Sequence, residues 1–219
     1  MVKFTSHITT TICGELLTLL PEKAIYWESK KILLIADLHL GKARHFRANG
    51  LAVPTEVEQT NWGNLGVLIN DLNPIKVLIL GDLFHSSYNQ EVANFKAFIT
   101  DFPNISFELV IGNHDVLGLG TYVDINLAVH VEELIIPPFI FTHEPIQREL
   151  NELYNLAGHI HPSVILKGKG RSRQKLPCFY FSKKVGLFPA FGAFTGTAEI
   201  KPSKKDCVYI IADEQVIAV

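Results

Sequence analysis

Five short clusters in this 219-residue chain carry side chains suited to gripping cations. They are Asp37-Leu38-His39, Gly81-Asp82, Gly112-Asn113-His114-Asp115, Thr142-His143 and Gly158-His159-Ile160-His161. Each follows an apolar run. A buried strand that ends in Asp, His or Asn leaves polar groups to satisfy, and one shared metal site does so for all five segments. Asp37 and His39 stand two apart, so they point to one side if that segment is extended. Asp82 offers a carboxylate able to bridge two cations, Asn113 a neutral carbonyl oxygen, and His143, His159 and His161 further imidazoles. Imidazole, carboxylate and amide oxygen without thiolate suit Mn²⁺, Fe or Zn²⁺ with open positions better than a closed structural site. Seven donors are too many for one ion and fit two that share a carboxylate. Such a pair serves metal-assisted hydrolysis. Taken singly, each histidine reads more simply as a core or surface group and each Gly-Asp as a turn. Their occurrence together carries the reading.

The elements that must position these clusters can be read around them. Lys31–Ala36, Lys76–Leu80 and Phe107–Ile111 are short, continuous apolar runs, the pattern of strands covered on both faces. A helix is expected from Pro54, with Val57, Leu65, Leu68 and Leu72 on one face and Asn73-Pro74 closing it. A second is expected near Gln90–Asp101, with Val92, Phe95 and Phe98 or Ile99 inward. Strand–helix–strand–helix–strand is the form of parallel crossovers, and ligands bind beyond the carboxyl ends of such strands. The second half reads as short strands at Val129–Glu133, Pro138–Thr142, Tyr154–Gly158, Val164–Lys167, Cys178–Ser182 and Val208–Ala212, with few helices. The fold expected is α/β, its β-rich second half forming a further sheet packed on the first. No linker-like stretch divides the chain, so residues 1–219 are expected to form a single domain.

Composition bounds the rest. Hydrophobic residues at 47% and charged residues at 19% argue against disorder. A formal net charge of -2 supplies no global basic field, so attraction to a polyanion would have to be local. The first twenty residues are interrupted by Thr, Ser, His, Gly and Glu, unlike a signal peptide, and no apolar run is long enough to span a bilayer. Cys13, Cys178 and Cys207 are odd in number and far apart; each is expected as a small core hydrophobe, and a reducing cytoplasm fits.

Asp-x-His, Gly-Asp, Gly-Asn-His-Asp, His and Gly-His-x-His, in this order, resemble the five-part pattern of the calcineurin-like metallophosphoesterases. That resemblance implies two packed mixed β-sheets flanked by helices in α-β-β-α layers. It implies one ion on Asp37, His39, Asp82 and His161, and a second on Asp82, Asn113, His143 and His159. Mn²⁺ leads as the cofactor, with Fe or Zn²⁺ as alternatives. Hydroxide bridging the two ions would attack phosphorus, and His114 would protonate the leaving oxygen. Asp115 would orient His114. His85, in Gly81-Asp-Leu-Phe-His85, resembles a histidine near the substrate phosphate in nuclease branches.

The segments Asp37-Leu-His-Leu-Gly-Lys-Ala-Arg-His-Phe-Arg47, Gly81-Asp-Leu-Phe-His-Ser86, Ala157-Gly-His-Ile-His-Pro162, Leu176-Pro-Cys-Phe179 and Pro189-Ala-Phe-Gly-Ala-Phe-Thr-Gly196 are further similar to the bacterial DNA-ligase-associated metallophosphoesterases of the PdeM type. This similarity implies a DNA-repair endonuclease, nucleic acid as substrate, and a DNA ligase and helicase as functional partners. Local charge bears on the same question. Lys167-Gly-Lys169-Gly-Arg171-Ser-Arg173-Gln-Lys175 is a basic loop after the last donor cluster, and Lys42, Arg44, His45 and Arg47 follow the first. These could contact a phosphate backbone, although a solvated hairpin tip is the plainer reading of the loop. Phe191 and Phe194 read as packing residues. Two other functions stay open: a small-molecule phosphoesterase acting on cyclic nucleotides or phosphomonoesters, and a non-catalytic interaction module on the same fold.

Overall fold

Two β-sheets pack face to face in the computed structural model of the chain. It describes residues 6–48, 50, 56–85, 90–168, 173–193 and 195–219, with backbone alone at 44, 45, 48 and 56–59. The first sheet takes its seven strands in chain order. Strands β1 (Ile8–Ile12), β2 (Glu15–Leu20), β3 (Ala24–Trp27) and β4 (Ile32–Ile35) form an antiparallel meander. Helices α1 (Lys42–Ala48) and α2 (Glu56–Leu72) lead to β5 (Lys76–Leu80), α3 (Gln90–Thr100) to β6 (Ser106–Val110), and α4 (Leu119–Asp124) to β7 (Ala128–His130). From β4 to β7 every neighbouring pair is parallel. The three apolar runs of the sequence are therefore the parallel centre of this sheet. The strand expected near Val129 belongs here as well, against the expectation that the second half forms only the second sheet. Its crossover, α4, is six residues long and too short to show a helical period.

The second sheet holds β8 (Leu134–Ile136), β9 (Phe139–Thr142), β10 (Tyr154–Ala157), β11 (Pro162–Lys167), β12 (Arg173–Phe181), β13 (Val185–Leu187), β14 (Ala198–Glu199), β15 (Cys207–Ala212) and β16 (Gln215–Ala218). It is mixed: β9, β10 and β13 run parallel, whereas β11 and β12 form an antiparallel hairpin and β15 pairs antiparallel with β12.

Alternation along the central strands divides the core. Leu33, Ile35, Val77, Ile79, Phe107 and Leu109 share one apolar cluster with Leu65, Leu68, Val92, Phe95, Ile99 and Tyr122 from α2, α3 and α4. Val92, Phe95 and Ile99 recur at three- and four-residue spacing, which turns one stripe of α3 inward. Leu34, Leu78, Leu80 and Val110 join Trp27, Phe139, Phe141, Leu156, Phe179 and Phe181 between the sheets. Trp27 meets the edge of Phe139 at 4.9 Å between centroids, and its indole N–H donates to Glu15 at 2.7 Å. Among the described residues no helix covers the far face of the second sheet. There Val164, Leu176, Cys178, Val208 and Ile210 form a small cluster of their own. Cys178 is thus the core residue expected; Cys13 and Cys207 are exposed, free thiols instead. No described helix is long and apolar enough to cross a membrane.

Candidate metal centre

The donor clusters follow the carboxyl ends of β4, β5, β6, β9 and β10, and the parallel runs bring those ends together. Backbone bonds lock them: the amide of Asp37 donates to Gly81 at 3.2 Å and that of His39 to Asp82 at 2.8 Å. The amide of His159 reaches both carboxylate oxygens of Asp37, at 3.1 and 3.0 Å. That of His114 donates to Asp82 Oδ1 at 2.9 Å. Asp37 and His39 do not converge by strand alternation. Their φ values are +54° and +48°, and Asp82, His159 and His161 are also left-handed, at +51°, +64° and +49°. Five of the seven expected donors sit in backbone conformations that L-residues rarely adopt.

Ring protons settle which nitrogens face inward. His143 Nδ1 lies 3.0 Å from the carbonyl of Leu80, which can only accept, so the proton is on Nδ1. In the neutral ring the Nε2 lone pair then looks at Asn113 Oδ1 at 2.9 Å and Asp82 Oδ1 at 3.5 Å. His159 Nδ1 is 3.1 Å from His143 Nε2. His161 Nδ1 donates to the carbonyl of Gly196 at 3.0 Å, turning Nε2 toward Asp37 Oδ1 at 3.2 Å. Both ring nitrogens of His39 are buried without a hydrogen-bond partner, and Nε2 is 3.6 Å from Asp82 Oδ2. Burial, with Lys42, His161, His85 and His114 nearby, pushes the His39 pKa down to about 2, so the ring is neutral and its lone pair available.

Lone pairs face one another between His143 Nε2 and Asn113 Oδ1 and between His39 Nε2 and Asp82 Oδ2, which is unfavourable unless a cation lies among them. The donor set therefore fits divalent metal. Asp37, His39 and His161 place one atom each within 4.8 Å of one another, and so do Asp37, Asp82 and His143. These two tight groups share Asp37, whereas the family resemblance makes Asp82 the shared carboxylate.

Around the donors, the rings of His85 and His114 stand 5.2 Å apart and lie 5.7 and 5.5 Å from His39. Asp115, expected to orient His114, is buried. Its oxygens accept from the amides of Phe84 at 3.1 Å and Gly112 at 2.9 Å, tying the segment after β5 to the one after β6. Burial raises the Asp115 pKa to about 6 against the lowering effect of those two amides. It is a brace for two loops. Lys42 is partly buried; desolvation lowers its pKa while Asp82 and Asp37 work the other way, which puts its ammonium in the field of the site.

The expected substrate contacts divide. Arg47 is partly buried on α1, while the Arg44 and His45 side chains, Ser86, Lys169, Arg171 and Phe194 lie outside what is described. Arg173 pairs with Lys167 at the far end of the β11–β12 hairpin. At ~3.3 Å per residue from the ligand end of β11 that is on the order of 16 Å, so the ladder carries Arg173 away from the donors. Phe191 is a core residue, as expected.

The sequence reading missed the glycines that precede three donors. A Cβ on Gly81 (φ +78°) would lie 2.1 Å from His143 Nδ1, and one on Gly112 would lie 2.4 Å from both the Asp82 amide nitrogen and Oδ1. The Gly-Asp and Gly-Asn dipeptides were visible; the close approach they permit was not. A cleft of about 410 Å³ beside the donors is lined by Asn113, His143 and Thr142, with Glu132, Glu133 and Glu144 on its wall.

The sequence profile of the calcineurin-like phosphoesterases matches residues 30–186. The crystal structure of Pseudomonas putida nuclease MPE is 30% identical, with 97% of this chain and 100% of that chain covered at a TM-score of 0.82. The Escherichia coli phosphoesterase Yfce aligns over 86% of this chain and 97% of its own at 13% identity, with a TM-score of 0.44. No curated protein matches the sequence.

Proposed function

Because the chain belongs to the calcineurin-like phosphoesterase family, and so is a metal-dependent phosphoesterase, we propose that it hydrolyses phosphodiester bonds in nucleic acid as a two-metal nuclease. The observation that carries the metal chemistry is the convergence of inward-facing donor atoms on His39, Asp82, Asn113, His143 and His161, with both ring nitrogens of His39 and Nε2 of His161 buried without a hydrogen-bond partner among the described residues. Likeness to nuclease MPE over nearly the full length of both chains supports nucleic acid as the substrate.

In this proposal Asp37, His39, Asp82 and His161 hold one cation, and Asp82, Asn113, His143 and His159 the other. Mn²⁺ is the leading ion and Fe or Zn²⁺ the alternatives. Bound there, divalent cations polarise a phosphoryl oxygen and acidify water. The protein's own part is positional. Leu80 and Gly196 hold the Nδ1 protons of His143 and His161, so Nε2 of each stays free to ligate. Asp82 fixes the backbone of His114 through Oδ1, which sets the ring beside His39 and His85. His114 then gives a ring proton to the leaving oxygen. His85 contacts a non-bridging phosphate oxygen, and Lys42 offsets part of the phosphate's charge.

DNA as the polymer, internal cutting, a role in repair with a ligase and a helicase, and a cytoplasmic site of action rest on the motif resemblance alone. One observation favours a second reading. Glu132 and Glu144, with Glu133 paired to Arg148, leave the cleft beside His143 acidic, which suits a nucleoside-sized group better than a further phosphate. A small cyclic nucleotide or phosphomonoester would fit that wall. Activity of Mn²⁺-loaded protein on bis(p-nitrophenyl) phosphate, single-stranded DNA, nicked DNA, 2′,3′-cyclic nucleotides and p-nitrophenyl phosphate separates the readings. Cleavage of DNA above the monoesters is the expected result. Clear preference for cyclic nucleotides or p-nitrophenyl phosphate would replace it with the small-molecule reading, and no phosphodiester cleavage at all would end the nuclease reading.

A further inference from the structure

Two buried asparagines outside the donor set each brace one half of the site. Asn61, on α2, is 6% exposed, and its Oδ1 accepts from the amide of Ala193 at 3.0 Å. Ala193 lies in a strap that touches both donor segments of one half. The amides of Phe191 and Gly192 donate to Ala36 at 2.8 Å and to Asp37 at 3.2 Å. Further along, Gly196 accepts the ring proton of His161, and the amide of Ala198 donates to His161 at 3.0 Å. The fit leaves no slack: a Cβ on Gly192 would meet the carbonyl of Leu38 at 2.6 Å. Asn61 therefore pins the strap that sets Asp37 against His161.

Asn155, on β10, is 1% exposed and has a matching place in the other half. Its Nδ2 donates to the carbonyl of Ile140 at 3.1 Å and to the hydroxyl of Thr142 at 2.9 Å, while Oδ1 accepts from the amide of Ile146 at 2.9 Å. The Thr142 hydroxyl donates onward to the carbonyl of Glu144 at 2.7 Å. Residues 142–146, and His143 among them, are thus held from both ends by one amide group. Among the described residues no hydrogen bond joins the two braces.

We propose that Asn61 and Asn155 are positioning residues that tune the two metal positions separately: Asn61 the one served by Asp37 and His161, Asn155 the one served by His143. This rests on the two-cation reading above. Outer groups that orient ligands commonly change metal affinity about 10–100-fold.

The test is calorimetric titration of the metal-free protein with Mn²⁺. His161→Ala and His143→Ala identify which ion each half holds. Asn61→Ala is expected to weaken by about tenfold or more only the ion lost in His161→Ala. Asn61→Asp, which keeps the acceptor oxygen, is expected to recover it. Asn155→Ala is expected to weaken only the ion lost in His143→Ala. Should Asn155→Ala fail to fold without metal, Thr142→Val removes the hydroxyl link at nearly constant volume and is expected to act on the same ion. Two ions in the wild type with both weakened equally by each variant, or neither weakened, overturns the inference alone. A single ion in the wild type overturns the two-cation reading and this inference with it.

Discussion

Replacing Gly81 by alanine tests whether the geometry of His143 is set by contact as well as by hydrogen bonding. The new Cβ would fall 2.1 Å from His143 Nδ1, 2.4 Å from Cγ and 2.7 Å from Cβ. Ordinary contact begins at 3.4 Å, so the ring must retreat by the difference between 3.4 and 2.1 Å, or Gly81 must move. Either shift stretches the 3.0 Å bond from Nδ1 to Leu80, and Leu80 and Gly81 are adjacent, so no motion relieves one without disturbing the other. Gly81 also sits at φ +78°, where an L-residue adds roughly 1–2 kcal/mol. A buried hydrogen bond left unmade adds roughly 1–3 kcal/mol. The expected loss of stability is then roughly 2–5 kcal/mol, read from urea unfolding of the metal-free protein. Turnover of the metal-loaded protein should fall by on the order of 10²-fold, the effect of displacing a site group by about 1 Å. Gly63→Ala is the control. Gly63 lies inside α2 with nothing within 4 Å of an added Cβ, so that variant should keep full activity and gain up to about 1 kcal/mol. A Gly81→Ala protein with wild-type stability and turnover would refute the claim that this close approach positions His143.

His114→Gln should lower kcat by about 10²–10⁴-fold while the bound metal, measured by elemental analysis, stays unchanged; unchanged turnover would remove His114 as the acid. Asp115→Asn separates a brace from a catalytic partner. An amide cannot accept from both Phe84 and Gly112, so stability should drop by roughly 1–3 kcal/mol with the pH limbs of kcat unmoved. A displaced limb would return Asp115 to the chemistry. Glu108 gives a pH-dependent prediction away from the site. Burial works to raise its pKa, but hydrogen bonds from Lys76 at 2.7 Å and His130 at 2.9 Å outweigh it, and the net shift is downward. A depressed carboxyl contributes stability that is present above its unfolded value of 4.5 and is lost as pH falls through the lower folded value. Glu108→Gln should therefore be less stable than wild type at neutral pH, with the gap closing below pH 4.5. A gap independent of pH would exclude the ionic origin.

The parallel centre of the first sheet was legible because its strands are buried on both faces. Lys76–Leu80 coincides with β5, and the Val92, Phe95, Ile99 stripe gives α3. The N-terminal hairpin was not legible. In β1, Ile-Thr-Thr-Thr-Ile alternates only between partly buried and exposed positions, so its periodicity says little. β13 and β14 are three and two residues long, below the length at which any pattern emerges. Among site residues, the donors could be named by type and order, whereas the hydrogen-bond partners of Asp115 could not. Its nearest neighbour in sequence is His114, but its partners are amides at Phe84 and Gly112, which only the folded chain brings to it.

The donor backbone shows the same limit from the other side. Spacing of two suggested that Asp37 and His39 converge because an extended strand alternates, yet both residues are left-handed. Strand alternation would have aligned them with Leu33 and Ile35, on the face of β4 that packs against the helices. The left-handed turns instead end the strand at Ile35 and carry both side chains past it, and the amides freed by the break are taken up by Gly81 and Asp82 from the adjacent strand end. The same device recurs at Asp82 after β5 and at His159 after β10. At about 1–2 kcal/mol for each left-handed L-residue, the strain is tolerable only because each turn is fixed by bonds to another donor segment. That makes the site cooperative: the amide of His159 holds Asp37, the carbonyl of Asp82 holds His39, and the carboxylate of Asp82 holds His114. A ligand substitution that also cuts one of these links should disturb a second segment, so Asp82→Ala is expected to displace His114 as well as lose a metal ligand, and to fall further in kcat than His161→Ala.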